Sequence, residues 1–128
     1  MAVFCLPPEM ITFYKFHIEY LTDHAVDPDK RRYVNDIEAA RHYIDIDHFQ
    51  LQGENVFEQM PKTWKEACLK YSEDTLEKYG IVPWHINSML HWLTKAFEDG
   101  DVNRILSLSA DLGHYVADAH VPLHTTEN

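Results

Sequence analysis

The stretch Val102-Asn-Arg-Ile-Leu-Ser-Leu-Ser-Ala-Asp-Leu-Gly-His114-Tyr-Val-Ala-Asp118-Ala-His120-Val-Pro122-Leu-His124 decides how this chain is read. It reads as one helix from Val102 to about His120, opened after the Gly100-Asp101 break and stopped by Pro122. His114 and Asp118 stand four residues apart and project from one face of that helix. His124 follows on the turning backbone. Imidazole and carboxylate converging in this way are zinc ligands by type and by spacing.

Working outward, the rest of the chain is also punctuated as helices. Pro83 opens a helix carrying Ile86, Met89, Leu90, Leu93 and Phe97 on its apolar side. A long helix is expected from near Pro61, through Trp64, Ala67, Cys68, Tyr71 and Leu76, to a stop at Gly80. Pro7-Pro8-Glu9 opens another, with Met10, Phe13, Tyr14, Phe16, Ile18 and Leu21 forming an apolar side up to about His24. Asp27-Pro28-Asp29-Lys30-Arg31-Arg32 reads as a charged turn, because proline disfavours helix at the residue before it. Asp36 is expected to cap a short segment through Ala40, and residues 50–55 read as loop. No alternating strand pattern and no internal repeat is present, so the chain is expected to form a single all-α domain over residues 1–128.

Composition narrows the function. The 128 residues are 45% hydrophobic, enough for a core. The apolar runs are short and interrupted by charge, so no transmembrane segment is expected. The first residues lack the basic and apolar regions of a signal peptide. Cys5 and Cys68 form no CxxC pair. With 21 acidic against 11 basic residues the formal charge is −10, which disfavours duplex DNA and suits divalent cations. Nine histidines point the same way.

Upstream of the terminal stretch, Asp27 in its turn and His42 at the head of His-Tyr-Ile-Asp45 are further ligand candidates. Asp27, His42, His114 and Asp118 together would supply two imidazoles and two carboxylates to one zinc. Each also has a packing role open to it: His42 as a hydrogen-bonded core histidine, Asp27 as a turn residue, His114 and Asp118 as an i,i+4 pair. Asp111 lies on the same helical face, placed either to orient His114 or to sit in solvent. Trp84, Trp92, Tyr43 and Phe49 read either as stacking faces for a substrate or as core. Pro83-Trp84-His85 is an unusual cluster that receives no site assignment. No glutamate stands three residues before a histidine and no histidine directly precedes an aspartate, which sets aside di-iron bundles and His-Asp phosphohydrolases.

The HxxxDxxxxxH run ending in Pro-hydrophobic-His, with Asp27 about fifteen residues before His42-Tyr-Ile-Asp45, resembles the bacterial zinc-dependent phospholipases C and the related single-strand-specific zinc nucleases. The resemblance spans Asp27 to His124 and implies an all-α catalytic domain of that type. It implies that Asp27, His42, His114 and Asp118 hold a first zinc, Asp118 also bridging to a second. His124 would ligate a third ion, and Asp27 would help orient the nucleophile. The implied reaction is phosphodiester hydrolysis, a metal-bound hydroxide attacking phosphorus in a phospholipid headgroup or single-stranded nucleic acid. The family's N-terminal Trp and its later His and carboxylate ligands have no counterpart here. The chain therefore reads as the central part of that catalytic domain, with weak or absent activity, and self-association through exposed apolar surface is expected. The family's export implies a periplasmic or secreted natural protein. The alternative is a non-catalytic helical module holding one metal ion, or a plain helical domain whose His and Asp residues form a polar network.

Overall fold

A computed structural model describes residues 2–49 and 55–127, and every regular element among them is helical. After a 3-10 turn over Ala2–Cys5 come α1 (Pro8–Phe16), α2 (Ile18–His24), α3 (Asp27–Arg31) and α4 (Asp36–Ala39). A 3-10 turn over Ile46–Phe49 precedes α5 (Val56–Gln59), α6 (Trp64–Tyr71) and α7 (Glu73–Tyr79). The two long helices, α8 (Val82–Asp99) and α9 (Val102–Asp118), are followed by a 3-10 turn over Pro122–His124. The all-α expectation holds.

The α8–α9 hairpin is the frame. Pro83 sits in the first turn of α8, where its missing N–H costs nothing. Val82, His85, Met89 and Ala96 then recur at helical spacing and form the buried face. Gly100 ends α8 in the left-handed conformation at φ 67°, and the Asp101 carboxylate caps α9 by accepting from Arg104 N at 3.1 Å. Ile105, Leu106, Ala110 and Tyr115 are the buried residues of α9. Helices α2 and α3 lie against α9 as well. One apolar cluster gathers Leu76, Val82, Met89 and Tyr115, another Tyr14, Ala96 and Ile105, and Leu108 packs against both. Burying a side chain such as Leu76, which is 0% exposed, contributes about 2 kcal/mol.

Between α4 and the second 3-10 turn the chain runs without helix and is stitched on both sides. Ile81 N donates to Ala40 O at 2.7 Å, Asp45 N to Tyr79 O at 2.7 Å, and Ile44 N to His124 O at 2.9 Å. Gly80, at φ 90°, lies directly on this segment: a Cβ there would stand 2.1 Å from the Tyr43 carbonyl oxygen. His42 is thereby fixed by backbone contacts to its neighbours in space.

Four expectations change in detail. The charged turn at Asp27 is a short helix, since Pro28 falls within its first turn and is buried against the fold. Asn35, not Asp36, caps α4, its side chain accepting from Ile37 N at 3.1 Å. The helix expected from Pro61 to Gly80 is two helices, broken at Ser72, whose φ is 67° and whose hydroxyl caps α7. The first helix is interrupted at His17, with φ −105° and ψ 19°. The loop expected over 50–55 lies, up to residue 54, outside the described residues.

The two glycines with positive φ among the described residues separate backbone strain from crowding. Gly100→Ala, with nothing within 4 Å of the added Cβ, should cost about 1 kcal/mol in urea denaturation. Gly80→Ala should cost about 3 kcal/mol, because the added methyl displaces the Tyr43 carbonyl as well. Equal losses in the two variants would contradict the close approach at Tyr43.

Candidate metal centre

Three elements converge on one point. Helix α3 brings Asp29, the segment after α4 brings His42, and α9 brings His114 and Asp118 on adjacent turns. Ligand atoms of Asp29, His42 and His114 all lie within 4.8 Å of one another, so this group could hold a metal ion. Asp118 joins it: its Oδ2 is 2.8 Å from His42 Nδ1 and 3.3 Å from His114 Nε2. His114 Nε2 is 3.2 Å from His42 Nδ1. Asp29 Oδ1 stands 3.8 Å from His42 Nδ1 and 3.7 Å from His114 Nε2.

These spacings can be set against the edges of a coordination tetrahedron. Nitrogen and oxygen ligands at zinc distances lie ~3.3 Å apart across a tetrahedral angle. The three edges among His42, His114 and Asp118 fall near or below that value, and the two edges to Asp29 fall above it. Asp29 is thus the loosest corner. It is also the most exposed, at 52% of its side chain against 1% for His42. It lines a cleft of about 530 Å³ with Arg32, Tyr33 and Asp36.

Local hydrogen bonds set which nitrogens face inward. His114 Nδ1–H donates to Ala25 O at 2.8 Å, which leaves Nε2 bare and turned toward the cluster. Burial pushes the His42 imidazole below its ordinary pKa, against the pull of Asp118. A neutral imidazole is the form that ligates a metal.

The remaining sequence candidates sit elsewhere. The Asp27 carboxylate accepts from Lys30 Nζ at 2.6 Å and from His24 Nδ1 at 2.5 Å, and belongs to a surface ion-pair group. Those hydrogen bonds, from Lys30 first and then His24, bring its pKa down to about 2. Residues two apart on a helix point about 200° around the axis from one another, so α3 can aim Asp27 or Asp29 at the cluster but not both. The structure aims Asp29. His124 is outside the cluster too; its Nδ1–H donates to the backbone carbonyl of His42 at 3.1 Å.

Asp111 does not orient His114. It accepts from Arg31 Nη2 at 2.9 Å, and its burial raises its pKa. Of the four aromatics, Trp84 and Phe49 are core, Trp84 donating its indole N–H to Pro61 O at 2.9 Å. The Tyr43 hydroxyl donates to Lys78 O at 3.0 Å, whereas Trp92 remains 41% exposed. His85 is packed edge-on to Tyr115 with ring centroids 4.6 Å apart. Desolvation, followed by the charge of Arg41, lowers its pKa to about 4, so it is neutral at neutral pH.

Sequence reasoning also missed Glu38, which is 0% exposed beside His42. Its Oε1 accepts a short hydrogen bond from the Tyr115 hydroxyl, and Arg41 Nη1 donates to its Oε2 at 2.7 Å. Arg31 Nη2 lies 3.4 Å from Oε1. The available signal was a glutamate one helical turn before a candidate ligand, flanked by arginines at 31 and 41.

Compared with protein-family models, curated proteins and solved structures, the chain matches none.

The geometry separates the two aspartates of α3. Asp29→Ala should weaken zinc binding about 10-fold or more in competition with a chromophoric chelator, and Asp27→Ala should change it less than about threefold. A loss confined to Asp27→Ala would contradict the assignment of Asp29.

Proposed function

We propose that Asp29, His42, His114 and Asp118 hold one zinc ion and that the site serves phosphodiester hydrolysis. The observation that carries this reading is the convergence of Asp29, His42 and His114 within 4.8 Å of one another, with Asp118 against both imidazoles, from three separate elements. The ligand chemistry suits zinc better than magnesium or calcium, which take oxygen donors. The resemblance of the His114–His124 run to zinc phospholipases C and single-strand-specific nucleases supplies the reaction class. A zinc ion held there would supply Lewis acidity toward a phosphoryl oxygen and lower the pKa of a bound water.

The chain's own residues then divide the work. His42, His114 and Asp118, all largely buried, hold the ion in place. Asp29, exposed on the cleft wall, is the ligand that can yield room to water and substrate. Arg32 lies on the same wall and offers a cation to a substrate phosphate. The acidic balance of the chain, at −10, disfavours duplex DNA and leaves a phospholipid headgroup or a single-stranded nucleic acid as substrate class. The same resemblance supports export of the natural protein. Exposed Phe16, Phe57 and Leu69 support self-association.

One observation favours a non-catalytic metal-binding module instead: with Asp118 beside Asp29, His42 and His114, four protein groups are at hand for one ion, the number found in structural zinc centres. Turnover decides between the two. With bis(4-nitrophenyl) phosphate, the zinc-loaded protein should show slow hydrolysis that rises with zinc up to one equivalent and is lost in His114→Ala. Stoichiometric zinc with no hydrolysis above the His114→Ala rate would contradict the hydrolase reading and leave the structural one.

A further inference from the structure

His42 Nε2 is, among the described residues, the buried side-chain nitrogen that finds no hydrogen-bond partner. An orphaned polar atom in the interior is costly, and this one faces a carboxylate: Glu38 Oε1 is 3.8 Å away. That distance is too long for a hydrogen bond and short for an accidental neighbour.

The gap follows from where the His42 proton sits. Nδ1 is 2.8 Å from the Asp118 carboxylate, an acceptor, so the proton resides on Nδ1 and Nε2 carries a lone pair. A lone pair and a carboxylate oxygen repel, and the two stay apart. A metal ion on Nδ1 takes that nitrogen's lone pair, and the imidazole then keeps its proton on Nε2, aimed at Glu38.

We propose that Glu38 is the positioning residue of the metal centre, its carboxylate accepting the Nε2–H of His42 when Nδ1 binds the ion. This rests on the metal-site reading above and is independent of the reaction catalysed. The Nδ1–H bond and its hydrogen bond to Asp118 would give way to a metal–Nδ1 bond, and one proton would be taken up on Nε2, so the ring loses one proton, gains one and stays neutral. Glu38 is built for the task. The Tyr115 hydroxyl donates to its carboxylate, Arg41 Nη1 donates to Oε2 at 2.7 Å, and Arg31 Nη2 lies 3.4 Å from Oε1. Its partners share elements with the other ligands: Arg31 lies two residues after Asp29 on α3, and Tyr115 is next to His114 on α9. A carboxylate so held sets both the tautomer and the rotation of the His42 ring.

Two measurements test this. In the zinc-loaded wild-type protein, nitrogen-15 correlation spectra of the histidine rings should show His42 protonated on Nε2 in a slowly exchanging, downfield N–H. A proton on Nδ1 would overturn the proposal without any variant. Glu38→Gln should then bind zinc about 10- to 100-fold more weakly and shift or lose that resonance, with Glu38→Asp restoring part of the affinity. A folded Glu38→Gln protein with wild-type affinity and an unmoved resonance would overturn it. If the wild-type chain takes up no zinc, the metal-site reading itself fails and the positioning role falls with it. Wild-type zinc uptake with normal binding by Glu38→Gln removes the positioning role alone.

Discussion

A buried negative charge governs the arrangement of this protein. Glu38 is wholly removed from solvent, and an isolated carboxylate there would be expelled or protonated. It stays because Arg31, Arg41 and the Tyr115 hydroxyl surround it. Leaving such a charge unpaired costs about 3–5 kcal/mol, so the segments carrying these partners are held to one geometry. Those segments are α3, the stretch after α4, and α9, which also carry the four candidate ligands. The packing demand of one carboxylate and the convergence of the candidate ligands are therefore the same constraint seen from two sides of His42.

Electrostatics explain why the ligand cluster asks for a cation. Asp118 and two imidazoles crowd within hydrogen-bond range, Asp29 stands 3.7–3.8 Å from the same imidazole nitrogens, and those of His42 and His114 face each other at 3.2 Å. Burial already disfavours the charged form of His42. A divalent ion bound there would take the lone pair of His114 Nε2 and, on displacing its proton, that of His42 Nδ1, and would sit against both carboxylates. Each of two cavities touches one candidate ligand: Asp29 lines the polar cleft, and His114 lines a mainly apolar cavity of about 590 Å³ with Leu21, Leu93 and Val116 on its wall.

Much of this was legible in the chain. The α8–α9 hairpin follows from Pro83, the Gly100-Asp101 break and helical spacing, and the i,i+4 pair His114 and Asp118 follows from the helix itself. His42 came from its spacing to a nearby aspartate within a resemblance. Choosing between Asp27 and Asp29 was beyond the sequence, because the choice depends on helical phase in a segment that Pro28 made look like a turn. Once Pro28 falls in a first turn, the phase is set by where α3 meets α9. Ser72 followed by Glu73 and Asp74 was a readable helix start, concealed by an apolar pattern that runs on across the break. Glu38 was concealed for a different reason: a glutamate on a short segment reads as solvated until tertiary packing gathers arginines around it.

The central claim is that one zinc sits among two imidazoles and two carboxylates. X-ray absorption at the zinc edge, on protein loaded with one equivalent of the metal, tests it most directly. The account predicts a shell of nitrogen and oxygen at about 2.0–2.1 Å, with outer scattering from two imidazole rings and no sulfur. Fewer than two imidazoles, a sulfur ligand from Cys5 or Cys68, or a fully hydrated ion would contradict it.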